Sequence, residues 1–301
     1  MQTRPIDFPP PAADAAPILL PLASTLFADR AHRFAALASG HSLGDWLDFL
    51  GRLSRAQHTA INALPALPLP DAASLAQART HGMPPLNMAV RPPVWRDVLR
   101  QIARELGKDA PDGARQAVDA LLVAADAGLE KLADSLLRGE PEAADAAGLP
   151  FVAAALQVVF TRLASQLDAS QLQKLDANGI CPCCGSPAVA SVVRLGATIN
   201  NLRYLHCCLC NTEWNVPRAT CTTCDTDKAV ALQEVEGSKG VVRAETCDAC
   251  KSYLKIVYQE KDPNVDPVAD DLATLALDLL VDEAGYGRSG PNLLLIGAHS
   301  G

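Results

Sequence analysis

The sequence predicts an α+β protein, with a helical N-terminal domain followed by two small tandem β units and a C-terminal helix. Three observations lead to this fold class. Apolar residues recur at helical spacing through an alanine-rich stretch from about residue 22 to residue 173. All ten cysteines then fall between Cys181 and Cys250, among short β-branched segments. Helical spacing returns after Pro263.

The N-terminal part divides into an extended lead-in and a helical domain. Residues 1–21 contain six prolines, which favours extended backbone, and residues 22–175 carry the helical pattern. The clearest helix is predicted to begin at Ser42, a good N-cap residue, and to end at Pro65. Further helices are expected at 93–107, 112–126, 128–138 and 149–167.

Four C-x-x-C pairs form an internal repeat. Adding 40 to the residue numbers of the first two pairs gives those of the last two. We therefore predict two four-cysteine ribbons, at residues 176–218 and 219–262. The pairs are Cys181/Cys184, Cys207/Cys210, Cys221/Cys224 and Cys247/Cys250. Strands are expected at 188–195, 201–206, 212–216, 228–235, 241–246 and 252–258.

Cysteine pairs at this spacing are typical of tetrahedral metal sites in rubredoxin-like and zinc-ribbon-like units. A C-x-x-C turn places two sulfur atoms on one side of a tight loop, and a hairpin brings up a second such turn. A 40-residue unit buries too little surface to be stable alone, so a bound metal ion would supply the missing stability. Sequential pairing of the turns fits the repeat, but an interleaved cross-brace uses the same four pairs and stays open.

Other uses of the cysteines fit less well. Disulfides need an oxidising compartment, and the N-terminus lacks the features of a secretory signal. A thioredoxin-like pair would open a helix rather than follow a strand.

Cys183 and Cys208 are expected to be spare thiols close to the first site, with a redox or ligand-exchange role as the alternative. His206 could ligate, but four sulfur atoms already complete a tetrahedron, so we expect a structural role.

Residues 263–301 are predicted to form a C-terminal helix and a tail. The helix should stop near Gly285 and is too short to stand alone, so we expect it to pack on the ribbons or the helical domain. Its apolar face is expected to comprise Val268, Leu272, Leu275, Leu279 and Leu280.

Charge, hydropathy and motifs exclude several classes of function. The net charge is -8, and residues 179–262 carry nine basic and nine acidic side chains, so no basic surface for nucleic acid is expected. The most apolar stretch, residues 149–160, is shorter than the roughly 20 residues that span a membrane. We therefore expect a cytoplasmic protein without membrane insertion. No nucleotide-binding or hydrolase motif occurs, so the sequence predicts no active site.

Six short runs of sequence carry a resemblance to a known family. They are CPCCGS from Cys181, LRYLHC from Leu202, TEW from Thr212, SYLKIVYQEKDP from Ser252, VADDLA from Val268 and GYGRS from Gly285. These runs resemble the FdhE family, the formate dehydrogenase accessory proteins. A looser similarity covers residues 47–57 and 82–86 in the N-terminal half.

The resemblance implies a cytoplasmic, non-catalytic maturation factor that binds the catalytic subunit of respiratory formate dehydrogenase. It also implies two iron ions, one per four-cysteine site, because the eight cysteines of the four pairs match the family's pairs one for one. Zinc is the alternative, since it accepts the same four thiolates. The sequence leaves open whether the chain forms a homodimer.

A rubredoxin-like electron carrier acting in the same maturation is the alternative function. Rubredoxins usually have glycine after each C-x-x-C turn, but here only Gly185 fits, while Asn211, Asp225 and Lys251 take the other three positions. This difference favours an adaptor over a carrier. We also expect the domains to be separable, so that Cys184→Ser would unfold the first ribbon and spare the N-terminal helices.

Overall fold

The computed structural model describes residues 16–107, 110–195 and 201–295. Seven α-helices occupy the N-terminal half of these described residues. The last of these helices is buried almost all round and lies against the second, fourth and sixth, so it forms the centre of the helical layer. The helices are α1 Leu26–Ala38, α2 Gly44–Ala63, α3 Ala72–Thr80, α4 Trp95–Leu106, α5 Asp112–Val123, α6 Asp126–Arg138 and α7 Leu149–Ser165.

The predicted helices are present, but the predicted cap of α2 is wrong. Its N-cap residue is Leu43 rather than Ser42, and no side chain caps the helix. Instead the backbone N–H of Leu43 donates to Nδ1 of His41 at 3.0 Å. The helix ends at Ala63, before Pro65, as the proline predicts. The separate helices α1 and α3 were not located by periodicity.

In the described ranges of the chain, one sheet of eight strands joins both ribbons. Its order is β1-β4-β3-β2-β7-β6-β5, with β8 beside β7. The fold class predicted from the sequence is therefore confirmed, with helices first and a sheet-rich cysteine region after them. The strands are β1 Ile18–Leu19, β2 Ala188–Arg194, β3 Leu202–Cys207, β4 Glu213–Val216, β5 Val230–Gln233, β6 Val242–Cys247, β7 Ser252–Tyr258 and β8 Gly287–Arg288.

A parallel strand pair fuses the two ribbons. Within the first ribbon β2, β3 and β4 are antiparallel, and within the second β5, β6 and β7 are antiparallel. Strand β2 of the first ribbon then pairs in parallel with strand β7 of the second ribbon, with Val192 opposite Val257. The repeats are consequently joined side by side in one layer.

The first residues of the described chain close one end of this sheet. Ile18 and Leu19 pair with Trp214 and Glu213 of β4. This part of the predicted lead-in is therefore a strand, and residues 1–15 lie outside the described residues.

The C-terminal segment forms two short helices instead of one. Asp266 caps α8 (Pro267–Leu272), and α9 (Leu275–Glu283) follows after a break of two residues. The predicted single apolar face is wrong, since Leu279 and Leu280 are 67% and 52% exposed while Leu277 and Val281 are buried. The break changes the helical phase, so the buried stripe moves to other residues.

A buried cation ties these C-terminal helices to the sheet. Lys255 on β7 is 1% exposed, and its Nζ donates to the carbonyl of Asp271 at 2.8 Å and that of Thr274 at 3.0 Å. It also lies against the carboxylates of Asp271 and Asp278. The C-terminal helix region thus packs back on the ribbons, as the sequence predicts.

The helices and the first ribbon share one hydrophobic core. Buried side chains of α1, α2, α4 and α7 are continuous with Cys181, Cys207, Leu209 and Trp214 of the first ribbon. A smaller core lies between the second ribbon and α9, including Ala244, Val257 and Leu277. No helix of the described chain is long and apolar enough to cross a membrane.

Candidate metal centres

The first centre is formed by four sulfur atoms from two C-x-x-C turns. Sγ of Cys181 lies 3.5 Å from Sγ of Cys210, and Sγ of Cys184 lies 3.5 Å from Sγ of Cys207. All four sulfur atoms lie within 4.8 Å of one another. A tetrahedral ion with metal–sulfur bonds of about 2.3 Å requires sulfur separations of roughly 3.8 Å, so this group fits such an ion.

The second centre has the same arrangement as the first centre, 40 residues further along the chain. Sγ of Cys221 lies 3.7 Å from Sγ of Cys250, and Sγ of Cys224 lies 3.7 Å from Sγ of Cys247. These four sulfur atoms also lie within 4.8 Å of one another. The turns therefore group sequentially, not as an interleaved cross-brace. All ten cysteines carry free thiols, so no disulfide competes for these sulfur atoms.

Backbone N–H groups point at the sulfur atoms of each turn. The N–H of Cys183 donates to Sγ of Cys181 at 3.4 Å, and those of Leu209 and Cys210 donate to Sγ of Cys207 at 3.4 and 3.3 Å. In the second centre the N–H of Thr223 donates to Sγ of Cys221 at 3.4 Å. Such donors offset the negative charge that four thiolates place on a metal site.

The residue after each C-x-x-C turn adopts the left-handed conformation. The φ angles are +78° for Gly185, +58° for Asn211, +58° for Asp225 and +54° for Lys251. This conformation turns the chain so that its N–H bonds back to the first cysteine, as from Gly185 to the carbonyl of Cys181 at 3.0 Å. The turns thus have the same backbone shape without a glycine at three of the four positions.

A hydroxyl residue follows each turn at the next position, a feature that the sequence analysis missed. Oγ of Ser186 lies 3.4 Å from Sγ of Cys184, Oγ1 of Thr212 lies 3.2 Å from Sγ of Cys210, and Oγ of Ser252 lies 3.0 Å from Sγ of Cys250. At the third turn Thr226 takes this position, and its carbonyl accepts from the N–H of Cys221 at 2.9 Å. The pattern C-x-x-C-x-[S/T] in all four turns was the available signal.

The two centres differ in their exposure to solvent. The four cysteines of the first centre are between 0% and 2% exposed. In the second centre Cys224 is exposed and Cys250 is half-buried. Burial raises the pKa of the Cys181 and Cys207 thiols, because desolvated thiolates crowded together are unfavourable without a cation. The first centre is therefore shielded from solvent, whereas the second is open to solvent at Cys224.

The helical layer holds the first centre by its backbone. The N–H of Leu86 donates to the carbonyl of Cys183 at 2.9 Å. Nε2 of Gln157 on α7 donates to the carbonyl of Cys208 at 2.8 Å, and Nε2 of Gln57 on α2 donates to Oε1 of Gln157 at 3.1 Å. Cys183 and Cys208, the two spare thiols, are thus buried beside the first centre at its contacts with the helices.

His206 belongs to a buried polar network beside the first centre. Its Nδ1 lies 3.0 Å from Oε1 of Glu213 and its Nε2 lies 3.0 Å from Oδ1 of Asn211, so both ring nitrogens face protein oxygens. Burial alone would raise the pKa of Glu213, but the charge of Arg194 and the hydrogen bond with His206 lower it to about 2. The predicted structural role of His206 agrees with these contacts.

Comparison with known proteins gives one family over almost the whole chain. The family models that match are FdhE, N-terminal, over residues 15–177, FdhE, central domain, over 180–218, and FdhE, C-terminal domain, over 219–295. A Protein FdhE homolog of Edwardsiella ictaluri is 41% identical, covering 93% of this chain and 91% of that protein. Another from Yersinia enterocolitica is 39% identical, covering 94% and 92%. The crystal structure of the FdhE protein from Pseudomonas aeruginosa superposes with a TM-score of 0.83 at 37% identity, over 93% of this chain and 98% of that one.

Proposed function

This chain belongs to the FdhE family, and from that premise we propose that it is a non-catalytic accessory factor in the maturation of formate dehydrogenase. We place its action in the cytoplasm, on the catalytic subunit of that enzyme. The observation that carries the proposal is the pair of four-thiol centres in a chain that matches FdhE along almost its whole length.

We propose that each centre binds one iron ion. The proposed ligands are Cys181, Cys184, Cys207 and Cys210 in the first centre and Cys221, Cys224, Cys247 and Cys250 in the second. Metal analysis of anaerobically purified protein should give two ions per chain, and its absorption spectrum should show sulfur-to-iron charge transfer. A colourless protein containing zinc would overturn the choice of iron, and one ion or none in intact protein would overturn the assignment of two sites.

Binding to the catalytic subunit can be tested with the full chain. Deletion of the gene should abolish formate dehydrogenase activity, and the intact gene should restore it. The tagged protein should retain the catalytic subunit under reducing, anaerobic conditions, and should retain the immature form better than the mature membrane complex. A tagged protein that restores activity but never retains the subunit contradicts the adaptor.

The exposure of Cys224 supports a second candidate, a rubredoxin-like electron carrier. An iron site open to solvent on one side allows a redox partner to approach it, whereas the first centre is shielded by the core. Reversible one-electron titration at a defined potential would favour the carrier. Zinc-substituted protein that still restores formate dehydrogenase activity would favour the adaptor.

A further inference from the structure

Strand β5 is an open edge of the sheet. Among the described residues it pairs with β6 on one side and with no strand on the other. Ala231, Leu232 and Gln233 are all exposed, Leu232 at 47%. The strand has no charged residue and no proline, the usual means by which proteins block an open edge.

The hydrogen-bond pattern shows which backbone groups face outward. The carbonyl of Ala229 accepts from the N–H of Asp248 at 2.8 Å, so residue 229 faces β6. Residues that face an antiparallel partner alternate along a strand, so Ala231 and Gln233 also face β6. The N–H and C=O groups of Val230 and Leu232 therefore point to the open side, available to another strand.

The internal repeat shows what this edge can bind. Subtracting 40 from the bounds of β5 gives residues 190–193, which lie within β2. The edge of β2 away from its hairpin partner is occupied by β7, an extended segment that pairs with it in parallel. The first strand of the first ribbon thus accepts an additional strand, and the same strand of the second ribbon has the corresponding edge free.

The surroundings of β5 are acidic. Between residues 225 and 236 the chain has Asp225, Asp227, Glu234 and Glu236 but one basic residue, Lys228. All five side chains are exposed, and Leu232 places an apolar side chain among them. Glu234 is paired with Nε of Arg243 on β6 at 2.7 Å, so the negative charge that a pairing segment meets comes from Asp225 and Asp227 before the strand and from Glu236 after it, with the apolar Leu232 between.

We propose that the open edge of β5 binds an extended, basic segment of a partner polypeptide, which adds a strand to the sheet. Backbone hydrogen bonds to Val230 and Leu232 supply the pairing, and lysine or arginine side chains of the segment meet the acidic residues beside it. This inference does not depend on the proposed role in formate dehydrogenase maturation, because it rests on the sheet edge and its charge alone.

Two labelled octapeptides test the proposal with the full-length, metal-loaded protein. One alternates lysine with valine and the other alternates glutamate with valine, so both have similar strand propensity and opposite charge. Fluorescence anisotropy should show binding of the lysine peptide and much weaker binding of the glutamate peptide. Amide hydrogen exchange should slow at Val230 and Leu232 when the lysine peptide binds. Equal affinity for both peptides, or protection elsewhere in the sheet, would overturn the proposal.

The variant Leu232→Pro removes an outward N–H without removing a β5–β6 hydrogen bond. It should weaken binding of the lysine peptide about tenfold, as expected for a lost backbone hydrogen bond and poorer fit. Leu232→Ala keeps the N–H and is the matched control, expected to lose less affinity. Unchanged binding of the lysine peptide by a folded Leu232→Pro protein would overturn the proposal. Self-association of the wild type that Leu232→Pro abolishes would also overturn it, because the edge of β5 would then pair with a second copy of this chain. The exchange measurement on the wild type decides the matter if the proline variant does not fold.

Discussion

The four residues that follow the C-x-x-C turns share one backbone conformation but differ in what their side chains contact. Outside glycine this conformation costs about 1–2 kcal/mol, least for asparagine and aspartate. Asn211 is 2% exposed, and its Oδ1 accepts from Nη2 of Arg30 at 2.8 Å while its Nδ2 donates to Thr161 at 2.8 Å. Lys251 is exposed and its Nζ contacts Asp248 at 2.6 Å. The same position is thus a buried junction in one turn and a surface residue in another.

Glycine substitutions separate these two roles. Asn211→Gly should destabilise the protein by about 3 kcal/mol, because it leaves the buried Nη2 of Arg30 without its acceptor. This cost outweighs the relief of backbone strain at residue 211. Lys251→Gly should change the free energy of unfolding by less than about 1 kcal/mol, since it relieves strain and loses only an exposed ion pair. Urea unfolding of both metal-loaded variants measures this difference, and similar losses in the two would contradict it.

Glu213 gives stability that depends on pH. Its pKa of about 2 in the folded protein lies below the value of about 4.3 expected in the unfolded chain. A carboxyl group with a lowered pKa stabilises the fold fully above the unfolded value, here by about 3 kcal/mol, and this contribution is lost as the pH falls from about 4.3 toward 2. The advantage of wild type over Glu213→Gln in urea unfolding should therefore be largest at neutral pH and shrink below pH 5.

The exposed Glu260 supplies the control for this experiment. Glu260→Gln should unfold like the wild type at every pH, because no buried charge is lost. If the difference in free energy of unfolding between wild type and Glu213→Gln stayed constant from neutral pH to acid, the stabilising contacts of Glu213 would not depend on its charge.

At the scale of elements, the two ribbons have the same turns in different surroundings. The first ribbon lies in the core of the helical layer, and α7 and α2 reach its turns through Gln157 and Gln57. The second ribbon packs mainly on α9 and on the first ribbon. The sequence suggested that the first ribbon would unfold alone, but this continuous core leads us to expect that the helices depend on it.

Two equivalent cysteines test this dependence. Cys184→Ser should lower the midpoint of helical thermal unfolding by more than about 10 °C, because loss of metal binding worth several kcal/mol affects the shared core. Cys224→Ser, at the same position of the second ribbon, should change that midpoint far less. Circular dichroism at a helical wavelength measures both. An unchanged midpoint of helical unfolding in Cys184→Ser would show that the helical domain is stable without the first ribbon, as the sequence predicts.

At the scale of the whole molecule, the parallel pair of β2 and β7 makes one sheet from the two repeats and places them in unequal positions. The helical layer covers the first centre, while the second lies toward the open β5 end of the sheet. Cys224 is consequently exposed, although its counterpart Cys184 is 2% exposed. The internal repeat therefore contains two similar sulfur sites with different access to solvent.

This difference predicts two rates of metal loss. A chromophoric chelator should remove metal in two phases of equal size, and the fast phase should exceed the slow one about tenfold or more, because the first centre releases its ion only after the core opens. Cys224→Ser should leave only the slow phase, and Cys184→Ser only the fast one. A single phase in the wild type would show that burial does not control release.

The local pattern of the sequence was sufficient for the six strands of the two ribbons, and it favoured the sequential grouping of the thiols that the structure then established over the cross-brace. A C-x-x-C turn brings two sulfur atoms together over four residues, and the 40-residue repeat pairs the turns within a hairpin, so both depend on neighbours in sequence. The same holds for most helices, whose apolar spacing is a local property.

Only the tertiary structure decided which repeat is buried, which side chains the helices present to the core, and where the sheet stays open. Periodicity placed Leu279 and Leu280 on the buried face, but a two-residue break before α9 turned them to solvent. Likewise, nothing within a single ribbon shows that β7 pairs with β2 or that α7 reaches the first centre. Each of these features results from contacts between segments far apart in sequence, whose free energy depends on how whole layers pack rather than on local residue spacing.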